Sequence, residues 1–241
     1  MGNYSHAARL RAAQDTLTVL KSREDYIPLR QEESKEGFEN LINAVIVANT
    51  SIINLKKEKK LLVKERRDHF YTGTESVMNI ISTLKTNVKY QFGKNSGQLE
   101  LLNEIAARMK SVRAEISEPA NSESESVTEQ NAKTRTVKHG EKTFASLTKI
   151  FNDFVTTIAS FGGFSPANEL FKIENLNTLS AKLTKFNDDI ELKLLEIRTG
   201  ILHRSELYNE LKDREARIKL SVKAQYGANS SIYMQIRTKK V

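Results

Sequence analysis

The sequence predicts an all-α fold, an internally duplicated antiparallel helical bundle, and three observations carry that reading. The 241 residues include 10 Gly and 3 Pro, too few to punctuate a sheet protein, whose turns consume both. Apolar residues recur at the 3,4 spacing of a helix face through several long segments. Finally, the stretch NVKYQFGKNSGQL (Asn87–Leu99) returns as SVKAQYGANSSIY (Ser221–Tyr233). Val88, Lys89, Gln91, Gly93, Asn95 and Ser96 recur 134 residues later as Val222, Lys223, Gln225, Gly227, Asn229 and Ser230.

In chain order, Leu10, Ala13, Leu17 and Leu20 predict a first helix with Ser5 as its N-cap. Ile27-Pro28 should end or redirect it, because the residue before proline avoids the α region. Phe38, Leu41, Val45, Ala48, Ile52, Leu55 and Leu62, with Lys59 as a skip, form a heptad seam that packs helix on helix. A turn is expected within Arg66–Gly73, after which Thr72 and Glu75 read as a capping box for a helix carrying Val77, Ile81, Leu84 and Val88. Gly93 stops that helix in a left-handed conformation. Asn95 or Ser96 then caps the next helix, with Leu99, Leu102, Ala106 and Met109 on its apolar face.

Ser117–Gly140 changes character. It has almost no large apolar residue and no period, so it is expected to be a flexible linker, acidic first and basic after. Beyond it the plan repeats. Phe144, Leu147, Phe151, Phe154, Ile158 and Phe161 predict a helix stopped by Gly162-Gly163, and Ser165 with Pro166 reads as the start of the next. Leu176, Leu179, Leu183, Phe186, Ile190, Leu194 and Ile197 form a second heptad seam, followed by an expected turn near Thr199-Gly200. A last helix through Leu207, Leu211 and Ile218 ends at Tyr226-Gly227. Phe38-Glu39-Asn40-Leu41 answers to Ile173-Glu174-Asn175-Leu176 at an offset of 135. The predicted organisation is therefore a first helical-hairpin repeat over 1–116, a linker over 117–140 and a second repeat over 141–241, the repeats packed as one bundle.

Several function classes are excluded. Without cysteine there is no disulfide, thiolate zinc site or cysteine nucleophile. The opening MGNYSHAARL has no apolar h-region, and His6 stands where a myristoylation pattern needs Ser or Thr. The most apolar run, Ile42–Leu55, is broken by Asn43, Asn49 and Asn54 and falls short of the roughly 20 apolar residues of a membrane span. A soluble, cytoplasmic chain without a membrane partner is expected. None of His6, His69, His139 and His203 follows a glutamate by three residues, which excludes the di-iron bundle pattern. His69 and His203 share the repeat offset. With Glu65 they would form a metal site or pH switch if the repeats brought them together, but both fall at expected turns, where exposed histidines are common. No phosphate loop, dinucleotide fingerprint or nucleophile elbow occurs. No catalytic residue, cofactor, metal or small-molecule ligand is assigned, and no enzyme activity is expected.

Two surfaces remain. The net charge is +8, and Lys56, Lys57, Lys59, Lys60, Lys64, Arg66 and Arg67 make a basic run that, with Arg237, Lys239 and Lys240, suits phosphate binding without base readout. The simpler reading is a solvated helix end whose cations complement the dipole, and it is preferred because no aromatic residue is interleaved for base stacking. Phe151, Phe154, Phe161 and Phe164 suit either a membrane-active patch or, at helical spacing, a core. The expected function is a non-enzymatic structural or protein-interaction module, self-associating or acting as a scaffold. Nonspecific nucleic-acid binding is the alternative and membrane activity the third reading.

Overall fold

A computed structural model of the chain describes residues 5–116, 143–239 and 241. Every regular element among them is helical: α1 (His6–Lys21), a 3₁₀ turn (Gln31–Glu33), α2 (Lys35–Tyr71), α3 (Val77–Phe92), α4 (Gly97–Ile116), α5 (Phe144–Ala159), a second 3₁₀ turn (Glu169–Phe171), α6 (Ile173–Tyr226) and α7 (Ser231–Ile236). The expected linker, Ser117–Gly140, lies outside the described residues.

The chain divides into two compact units, Met1–Lys59 with Leu192–Val241, and Lys60–Glu191. The first unit holds α1, the start of α2, the end of α6 and α7. The second holds the end of α2, then α3, α4 and α5, and the start of α6. Each unit thus draws on both sequence halves. In the first, Leu17, Leu20, Phe38, Ile42 and Val45 share a core with Tyr208, Leu211, Ile218, Val222 and Ile236. In the second, Phe70, Ile80, Leu84, Leu102 and Met109 share a core with Leu147, Phe151, Phe154 and Leu183.

The heptad seams set the inward faces. Phe38, Leu41, Val45, Ala48 and Ile52 are buried on α2, and Leu176, Leu183, Phe186, Ile190 and Ile197 on α6. Within the first unit, positions on α2 rise as their partners on α6 fall. Gly37 O accepts from Arg214, Asn49 from its Nδ2 donates to the Tyr208 hydroxyl at 3.0 Å, and Glu58 meets Lys193 at 2.9 Å. Those pairs set the local register.

Three of the helix starts share a glycine–serine turn. Ser5 caps α1 as expected, accepting from Ala8 N at 3.2 Å. Gly73, Gly93 and Gly227 all have positive φ, and each carbonyl accepts the N–H of the serine three residues on, Ser76, Ser96 and Ser230, at 3.3–3.4 Å. Those serines stand immediately before α3, α4 and α7. Asn95 and Asn229 are exposed turn residues and not the caps. The Thr72–Glu75 capping box is not formed. α2 continues to Tyr71, so the turn expected within Arg66–Gly73 falls at its last residues; Thr72 donates its hydroxyl to Asp68, and the Gly73 turn moves the helix start to Ser76.

The second half departs further. α6 runs unbroken for 54 residues across Thr199-Gly200, so the expected turn is absent. A glycine inside a helix costs about 1 kcal/mol relative to alanine, but Gly200 serves packing: a Cβ there would stand 3.3 Å from Ile52 Cγ1. Ser165-Pro166 does not start a helix either. Asn168 caps the second 3₁₀ turn, accepting from Leu170 N at 2.9 Å, and α6 begins at Ile173. Paired elements before the seams (α1 and α5, the two 3₁₀ turns, the starts of α2 and α6) recur at an offset of 138. That spacing differs by three residues from the offset of 135 between Phe38–Leu41 and Ile173–Leu176.

Candidate functional site

Gln91 and Gln225, the shared glutamines of the repeated motif, act as clamps. In the second unit the Gln91 side-chain amide donates to Ser165 O at 2.9 Å, while its carbonyl accepts from Ser165 N at 3.2 Å. In the first unit Gln225 donates to Ile27 O and accepts from Ile27 N at 3.3 Å. Both gripped residues precede a proline, Pro166 and Pro28. The X-Pro step holds that residue extended, which presents its N–H and C=O to one planar amide. The motif therefore combines a helix stop at Gly93 or Gly227, a cap at Ser96 or Ser230, and a clamp two residues before the glycine.

The basic run of α2 is not one surface. Arg66 is withdrawn from it. Its guanidinium lies 4.1 Å from the centroid of the Phe144 ring and donates to Asn187 Oδ1 at 2.8 Å, and burial lowers its pKa, with Glu191 opposing. Asn187 passes the contact on to Thr148 at 3.1 Å. Lys57, Lys60, Lys64 and Arg67 are exposed at 3,4,3 spacing, so they share one helix face. None of the four has an ion pair or hydrogen bond among the described residues. Lys56 is exposed, and Lys59 is half-buried. Of the basic tail, Lys239 is engaged with Asp15 at 2.7 Å, and Lys240 lies outside the described residues.

The two histidines with the repeat offset have different settings. His69 packs on Phe186 in the second unit, ring centroids 5.3 Å apart. Burial lowers its pKa and Lys182 adds to the effect, while Glu65 and Asp68 oppose it. His203, in the first unit, is exposed beside Glu206 at 3.8 Å. No group of three His, Cys, Asp or Glu side chains able to hold a metal occurs among the described residues. Phe151 and Phe154 are fully buried, and Phe161 and Phe164 pack against the same core. No described helix is long and apolar enough to cross a membrane.

A surface that sequence reading did not single out lies on α6. Leu192, Leu195 and Leu202 are 57%, 59% and 67% exposed. With Thr199 they keep 3,4,3 spacing, an outward seam parallel to the inward Ile190–Ile197 series. That spacing is visible in the sequence, but the inward series has the same period. An open groove of about 480 Å³ also runs along α5 and α6 in the second unit, bordered by Thr148, Asn152, Ser180, Thr184 and Asn187. These five are bonded among themselves: Ser180 donates to Asn152, Thr184 to Ser180 O and Asn187 to Thr148. No protein-family model matches the chain, and searches of curated proteins and of solved structures find no match.

Proposed function

We propose that the chain is a non-enzymatic interaction module that self-associates through α6, in an aqueous compartment such as the cytoplasm. The observation that carries this reading is the outward seam of Leu192, Leu195 and Leu202. Single exposed apolar residues are ordinary on a protein surface, whereas three on one helical stripe are what a partner helix covers. Burial of Phe151 and Phe154 in the core removes the support for membrane activity.

We further propose that the module descends from two copies of one helical repeat with exchanged ends. Supporting this are α1 and α5, each of 16 residues, the matching glycine–serine turns, and the two glutamine clamps. In this reading each compact unit takes its lead-in helix from one repeat and its exit from the other.

Sedimentation equilibrium of the whole chain tests the function. The wild type should show an average mass that rises with concentration, and the Leu192→Glu/Leu195→Glu/Leu202→Glu variant should stay monomeric with unchanged helicity. A wild type that remains monomeric at the highest attainable concentration refutes self-association through this seam.

A further inference from the structure

We propose that the outward stripe of α2 (Lys57, Lys60, Lys64 and Arg67) binds the phosphodiester backbone of a nucleic acid without reading its sequence. The stripe is independent of the leucine seam on α6, so neither proposal stands or falls with the other. The ordinary explanation for such a run is a helix end whose cations complement the dipole. That effect fades beyond the last turn. α2 ends at Tyr71, which leaves Lys57, Lys60 and Lys64 well outside its reach.

A solvated salt-bridged face does not account for the stripe either. Lys57–Lys60, Lys60–Lys64 and Lys64–Arg67 are like-charge neighbours at i,i+3 or i,i+4, each of which weakens a helix. The nearby carboxylates do not neutralise it. Glu58 pairs with Lys193 at 2.9 Å and Glu65 lies on the flank of the stripe; Asp68, four residues after Lys64, shares its face and accepts from Thr72, one negative charge against four positive. Among the described residues no carboxylate pairs with the stripe, which leaves a net positive face for an external anion.

The geometry points to a linear polyanion. From Lys57 to Arg67 the helix rises roughly 15 Å at 1.5 Å per residue, and one nucleic-acid strand carries about four phosphates over that length. Membrane-surface helices instead lay down a broad apolar face beside their cations, whereas between Lys57 and Arg67 a single large apolar residue, Leu61, is exposed. With no exposed aromatic residue in the stripe, recognition is confined to backbone charge.

The test uses the full chain and a short fluorescent duplex DNA of mixed sequence, titrated by anisotropy between about 50 and 200 mM salt. Four phosphate contacts predict a slope of log K against log salt near −3.6, roughly a 150-fold loss over that range. The Lys57→Gln/Lys60→Gln/Lys64→Gln/Arg67→Gln variant should remove that slope, and a duplex of unrelated sequence should bind equally. A control variant with four exposed lysines elsewhere neutralised (Lys94→Gln, Lys110→Gln, Lys149→Gln, Lys212→Gln) should keep it. The proposal is overturned if duplex does not bind at about 50 mM salt, or if the control loses as much as the stripe variant. It is equally overturned if the stripe variant loses binding only to phosphatidylserine vesicles.

Discussion

Replacing Gln91 by alanine removes two hydrogen bonds, one to Ser165 O at 2.9 Å and one from Ser165 N at 3.2 Å, and little apolar contact. An intramolecular hydrogen bond contributes about 0.5–1.5 kcal/mol net. Ser165 sits at the surface, so water replaces part of what is lost and the low end applies, about 1 kcal/mol for the pair. For a chain of this size that corresponds to a melting temperature lower by roughly 2–4 °C. Gln91→Glu sharpens the prediction. The carboxylate still accepts from Ser165 N but turns a second oxygen towards Ser165 O, so at neutral pH it should be no better than alanine. Below about pH 4 the protonated acid regains a donor and part of the stability. The assays are thermal melts followed by circular dichroism and amide exchange at Ser165. The clamp is refuted if the Ser165 amide exchanges equally fast in wild type and Gln91→Ala. Gln225→Ala should act in the same way on Ile27.

Two further outcomes concern stability. Gly37→Ala would place a Cβ 2.6 Å from Gln31 O and 2.8 Å from Glu32 O, both backbone atoms, and so displace the first 3₁₀ turn. Nothing lies within 4 Å of the corresponding position at Gly227, whose φ is +88°. Gly227→Val should therefore cost only backbone strain, about 1–3 kcal/mol, and Gly37→Ala more; urea denaturation giving the reverse order would contradict the packing at Gly37. Glu215 is buried, and burial holds its carboxyl above the ordinary range, against Lys219 and the hydroxyl of Thr16 at 3.0 Å. A raised folded pKa means stability that is fully present below the ordinary glutamate value and lost as pH rises through the raised one. The melting temperature of Glu215→Gln relative to wild type should therefore increase from pH 4 to pH 7, and a difference constant with pH would refute this.

Helix content and the glycine exits are legible in the sequence because each is a local demand. An amphipathic stripe such as Phe144–Phe161 is repeated every turn, and a positive φ at Gly93 or Gly227 concerns one residue. The α2 cations could likewise be listed from sequence, but their sorting could not. Arg66 leaves the surface for Phe144 and Asn187, far along the chain, while Lys60 and Lys64 stay exposed.

Where helices break is a tertiary decision. Tyr71–Gly73 ends α2, and Thr199-Gly200, equally suited to a turn, lies inside α6. At Gly73 a Cβ would meet nothing within 4 Å, whereas at Gly200 it would stand 3.3 Å from Ile52 Cγ1, so the glycine inside α6 lies in close packing with α2. The clamps follow the same rule. Gln91 and Gln225 hold the same place in the motif, but their partners lie 74 and 198 residues away, and no local pattern names them. On α6, Ile190, Leu194 and Ile197 follow the same 3,4 period as Leu192, Leu195, Thr199 and Leu202, but only the latter set is largely exposed. The period of a helix is set within a few residues by its own geometry, whereas which of two apolar stripes is covered depends on neighbours that only the folded chain brings against it.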